Sequence, residues 1–219
     1  MLSDSPRTLL VRTEISLGSF QEFFRAFKSG KTMLVFGPAG TGKTETMKDF
    51  AGDLGIEATV VSLDQGDLNT DEDDPAKISA VMVKRGIAEK IEKEKSEGGF
   101  LVFDGIKNIH LYKNILQAAR AAKGPGFIGI TAGEAFSEKE VGAKAQTEIW
   151  MRYEKFTNFK IIIRSMLAAE GARIESAEAL SVKCCEVVEY AASSDAISKH
   201  PSYDWGLRFQ RTLIKEFGR

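Results

Sequence analysis

Cysteine and histidine each occur only twice in 219 residues, and their placement removes whole classes of chemistry. Cys184 and Cys185 are adjacent, a spacing that rarely closes a disulfide, and two thiols are too few ligands for a structural zinc site. They are expected to be buried core thiols. His110 and His200 lie far apart in the chain, so both are read as structural or solvent-exposed, and no histidine mechanism is supported. Long apolar runs are also missing. The longest fall far short of the roughly 20 residues that span a bilayer, and the start, MLSDSPRTLL, has neither the charged region nor the apolar stretch of a signal peptide. A cytoplasmic protein with no membrane partner is expected. Nor does either charge dominate: 30 Lys and Arg face 31 Asp and Glu, for a net charge of -1. No broad field attracts nucleic acid, and none is expected as a partner.

What is present, 43% hydrophobic and 28% charged residues, describes an ordinary globular chain with enough material for a well-filled core. Four apolar, β-rich segments punctuate the first two-thirds: TMLVFG (32–37), EATVVSL (57–63), GFLVFDG (99–105) and GFIGITAG (126–133). Helical stretches separate them, which predicts an α/β fold with a mostly parallel sheet buried on both faces. The longest helix candidate runs from Asp74 to Gly98, with Ile78, Val81, Met82, Ile87 and Ile91 on its packed face. Four consecutive acids, Asp71 to Asp74, precede it. They lack the glycine and glutamate spacing of a calcium loop and read as an exposed loop leading into a helix N-terminus. Beyond about residue 155 the chain reads as helix: Ile161 to Ala169, Ser176 to Ser193 and Tyr203 to Phe217. The expected division is a nucleotide-binding α/β domain over 1–155 and a helical subdomain over 156–219.

The nucleotide assignment rests on GPAGTGKTET, residues 37–46. Gly37, Gly42, Lys43 and Thr44 satisfy the P-loop pattern G-x-x-x-x-G-K-[ST], with an apolar strand before it and a helix after. A phosphate chain needs many donors in a small space, and the backbone N–H groups of Gly37, Pro38 to Thr41 (proline excepted), Gly42, Lys43, Thr44 and Glu45 lie at a helix N-terminus, where the dipole favours anions. Ala39 and Gly40 complete the loop. Lys43 is expected to reach the terminal phosphates and Thr44 to ligate Mg2+. The second metal ligand is expected from Asp104, at the end of FLVFDG. Many P-loop ATPases follow this aspartate with a water-polarising glutamate; here the residue is Gly105. At the end of the fourth strand, where a polar side chain commonly positions the same water, the candidates are Thr131 and Glu134.

These residues carry a resemblance. GPAGTGKTETMKDFAGDLG resembles the P-loop and following helix of the first AAA+ module of dynein heavy chains. FKIIIRSMLAAEGARIESAEALSVKCCEVVEY, with HPSYDWGLRF after it, is similar to that module's helical lid. The resemblance implies an AAA+ fold, with a five-stranded parallel sheet and a C-terminal lid, and a fifth strand near IWMRYEKF. It also implies ATP or ADP as ligand, and Arg208 as the lid arginine that contacts the phosphates. The family reads like DEFNR after the buried aspartate, whereas this chain has DGIKN, and the asparagine after the fourth strand aligns with Gly133. A neighbour-facing arginine aligns with Trp150 or, two residues on, Arg152. The expectation is a magnesium-dependent ATP- or ADP-binding module, slow or inactive in hydrolysis, that acts as a nucleotide-gated binding or assembly protein. The alternative is an ATPase that completes its site by oligomerisation. A homo-oligomer or a larger AAA+ or motor assembly is the implied partner, because a single module has no room for a motor's linker, ring and stalk.

Overall fold

The central strands form because runs of apolar, β-branched and aromatic residues gain most when both faces are covered. The computed structural model describes residues 11–37, 40–63, 75–133, 146–150, 156–193 and Ile214. Its elements in chain order are α1 (Glu14–Lys28), β1 (Thr32–Phe36), α2 (Lys43–Asp53), β2 (Ala58–Ser62), α3 (Pro75–Lys84), α4 (Ile87–Glu97), β3 (Phe100–Ile106), α5 (Ile109–Ala121), β4 (Phe127–Ala132), β5 (Gln146–Trp150), α6 (Phe156–Ala169) and α7 (Ile174–Ser193). The strands pair in parallel in the order β2-β3-β4-β1, and β5 adds to the outer side of β1. β5 begins before the IWMRYEKF segment and shares only Ile149 and Trp150 with it.

The chain divides into two compact units: Ser16–Pro38 with Lys43–Met151, and Met1–Ile15 with Ala39–Gly42 and Arg152–Arg219. In the first, alternate residues of each central strand feed opposite layers. Leu34 and Phe36, Leu101 and Phe103, Ile128 and Ile130 join Ile87, Ile91, Leu111, Tyr112 and Ile115 from the helices on one face. Met33, Val35, Phe100, Val102 and Phe127 meet Phe23, Met47 and Phe50 on the other. The second layer is markedly aromatic. Phe50 meets Phe23 edge-on with ring centroids 5.4 Å apart, and Phe127 lies 5.4 Å from both Phe27 and Phe100, arrangements that add to simple burial.

The single helix expected over 74–98 is instead two. Gly86 takes a left-handed conformation (φ 56°), its N–H donating to the Val83 carbonyl at 3.0 Å, and α4 starts afresh with the Lys90 N–H on the Gly86 carbonyl. The spacing of the apolar residues already contained the break: Met82 to Ile87 is five positions, too far for one helical stripe. The acidic run before α3 lies outside the described residues.

In the second unit α6 presents Phe159, Ile162, Ile163 and Leu167 to Ala177 and Val188 of α7. These helices start at Phe156 and Ile174, earlier than the positions 161 and 176 expected from sequence. The third expected helix, 203–217, lies outside the described residues except for Ile214, which is helical and buried. Cys184 and Cys185 are half-buried rather than buried. Both pack against the α6–α7 core, which covers each only in part. Burial pushes both thiols up from their ordinary range. On the outside of the pair, Glu178 accepts from Lys160 at 2.6 Å and Arg164 at 3.1 Å, and those hydrogen bonds hold its carboxyl below the usual range.

Candidate functional site

The sheet order brings the carboxyl ends of β3, β4 and β1 side by side, the place where open parallel sheets gather functional groups. β1 ends at Phe36 and the chain passes through the glycine-rich loop into α2, whose first residues are Lys43 and Thr44. Gly40 and Gly42 take φ values of 73° and 82°, which a side chain would resist. The Lys43 ammonium donates to the Gly37 carbonyl at 2.9 Å. Thr41 is buried, and Glu45 pairs along the first turn with Lys48 at 3.0 Å, its carboxylate half exposed.

Asp104 joins the loop from 60 residues away: the Thr44 hydroxyl donates to its Oδ1 at 2.5 Å. Its main chain is held as well, since the Leu63 N–H donates to the Asp104 carbonyl at 2.8 Å and extends the β2–β3 ladder. A hydroxyl beside a carboxylate is a set of hard oxygen donors, the kind that magnesium takes in small number alongside phosphates and water. The residues present therefore fit the cation that the P-loop pattern implies.

Immediately beyond Asp104 the strand is irregular. Phe103 pairs with Ile130, but Ile106 pairs with Ala132, so Asp104 and Gly105 together stand against Thr131 alone. This is a β-bulge, and its second residue, Gly105, has a φ of 81°. Thr131, 1% exposed, ties it together by donating from its hydroxyl to Asp104 Oδ1 at 2.6 Å and accepting from the Gly105 N–H at 3.0 Å. Sequence reasoning named Thr131 as a water-positioning candidate; the hydroxyl instead points into β3. It missed the bulge, although an isolated glycine inside an apolar strand is the usual signal for one. It also missed Asn108, which caps α5 by accepting from the His110 and Leu111 N–H groups at 2.9 and 3.0 Å.

The structure thus brings together Gly37, Lys43, Thr44, Asp104 and Thr131. Pro38, Ala39, Glu134, Arg152 and Arg208 lie outside the described residues, as does the side chain of Trp150.

A parallel sheet flanked by helices, with a P-loop after β1, the strand beside the middle one, is the architecture of P-loop nucleotide-binding proteins, and it is consistent with the AAA+ class. Residues 5–74 match the family model described as the hydrolytic ATP binding site of the dynein motor region. The chain is also similar to human cytoplasmic dynein 2 heavy chain 1, at 25% identity over 223 aligned positions that cover 95% of this chain and 5% of that protein. These matches support a dynein-like AAA+ module with an ATP-binding region. The chain spans about a twentieth of that relative's length. Among the described residues no helix is long and apolar enough to cross a membrane.

Proposed function

We propose that the protein binds ATP or ADP with magnesium, hydrolyses it slowly or not at all, and uses the bound nucleotide to gate association with a partner. The observation that carries this reading is the pairing of an ordered binding set, Lys43, Thr44 and Asp104, with a left-handed glycine at the position after the aspartate. In this reading the loop amides and Lys43 hold the phosphates, Lys43 exchanging its Gly37 carbonyl for a phosphate oxygen. Glu45 contributes its N–H, since its carboxylate is turned to Lys48. Thr44 and Asp104 would hold the magnesium, which when bound neutralises charge on the phosphate oxygens. Gly105 offers no side chain to take a proton from water. Arg208, on the C-terminal lid that the resemblance implies, would report the state of the nucleotide. Closed and open lids would then differ in affinity for the partner.

A second reading, an ATPase whose missing groups come from a neighbouring copy, draws support from the family match, whose description names a hydrolytic site. Steady-state ATP turnover with magnesium over a wide range of protein concentration separates the two. The binding module is expected to bind nucleotide tightly and turn over far below the ordinary enzymatic range of about 1 to 10³ per second. Turnover within that range, abolished by Asp104→Ala, would overturn it, and a rise with protein concentration would establish the shared site.

A further inference from the structure

We propose that Thr131 is a positioning residue for the metal-ligating carboxylate, the pin of a bulge that fixes where Asp104 points. This rests on the nucleotide and magnesium reading above. A bulge leaves its extra residue without a ladder partner, and an unpaired buried N–H is costly. Here the orphan is the N–H of the half-buried Gly105, and the Thr131 hydroxyl accepts it at 3.0 Å. The same hydroxyl spends its single proton on Asp104 Oδ1 at 2.6 Å. One donor function and one acceptor function are thereby used on two consecutive residues, something a hydroxyl does and a methyl group of the same shape does not. Thr44 donates to the same oxygen from the opposite element. Oδ1 is thus clamped between β4 and the first turn of α2, and rotation of the carboxylate about its own axis is opposed by both hydroxyls. Thr131 is also fixed from behind, because its strand neighbour across the sheet is Val35, one residue before the end of β1. The phosphate loop and the aspartate are therefore referred to one another through β4. Its place at the end of the fourth strand suggests a water-positioning group, but its hydroxyl serves the carboxylate and the bulge.

The test compares wild type, Thr131→Val and Thr131→Ser in titrations with ADP, once with magnesium and once with a chelator. Wild type is expected to gain affinity from magnesium. Thr131→Val should lose about tenfold or more of that gain, the worth of a charge-assisted hydrogen bond, with its affinity in chelator unchanged. Thr131→Ser should restore the gain. A full magnesium gain in Thr131→Val overturns the inference, as does an equal loss in chelator, which is what a merely structural role would give. Amide exchange at Gly105 decides independently of nucleotide: slow exchange in wild type is expected, and fast exchange overturns the inference even if Thr131→Val does not fold. Wild type that binds no ADP, with or without magnesium, would remove the nucleotide reading while a protected Gly105 amide left the bulge and its pin in place.

Discussion

The two arms of the site are built on different principles. The β1–α2 arm is a loop whose glycines at 40 and 42 free the backbone to wrap a ligand, and its one long cation, Lys43, rests on the Gly37 carbonyl. The β3–β4 arm is rigid: Asp104 is held through its main chain by Leu63 and through its side chain by Thr44 and Thr131. A glycine-rich arm with one cation and a fixed arm with one carboxylate are the two parts on which the proposed recognition of a nucleotide rests. Among the described residues the second arm presents no carboxylate besides Asp104, and that one is engaged by both hydroxyls.

The largest way to break this contrast is Lys43→Ala. It removes the charge of the first arm, and nucleotide affinity measured by calorimetry should fall by about tenfold to a hundredfold, the range for a hydrogen bond to a charged group. Melting of the apo protein should be little changed. A smaller effect comes from the second arm. Gly105→Glu places the missing acid where the backbone is left-handed, a conformation that costs an L-residue about 1–2 kcal/mol. Denaturant unfolding should show a loss of that order, and ATP turnover should not rise; a variant as stable as wild type with restored turnover would mean that this strand end accommodates a catalytic acid after all. The smallest is a control outside both arms. Glu178 has a carboxyl held low by Lys160 and Arg164, so its contribution is present above the ordinary carboxylate range and is lost as pH falls through and below it. The thermal midpoint of Glu178→Gln should therefore fall less steeply toward acid than that of wild type, with nucleotide affinity unaltered.

The parts legible in the sequence were those that obey a period or a fixed spacing. The central strands announced themselves as unbroken apolar runs because both their faces are covered, and Lys43, Thr44 and Asp104 followed from the P-loop pattern and the acid that ends a buried strand. Gly86 and Gly105 were harder. Each sits inside a segment whose apolar content suits a continuous element, and the signals of the break and the bulge, a five-position gap in the apolar spacing and an isolated glycine in a strand, are weaker than the apolar run around them. Thr131 was found but given a different task, since the direction of a hydroxyl depends on the register between β3 and β4. The two cysteines show the converse: hydrophobic character suggested full burial for both, and each packs against the α6–α7 core only in part.

One further consequence belongs to the bulge. Along β3, Leu101 and Phe103 enter the same apolar layer, and the next member of that layer is Ile106, three positions on instead of two. The strand therefore changes phase once, at its end. Removing Gly105 would leave Phe103 and Ile106 two positions apart and would return the strand to an uninterrupted alternation, so the core has no need of the extra residue. It is an insertion whose whole effect is spent at the tip of the strand, where it lets a buried ladder end in a carboxylate that faces a loop. The interior and the site can thus be altered separately at this point in the chain, and a one-residue deletion at 105 is the change that would keep the first and dismantle the second.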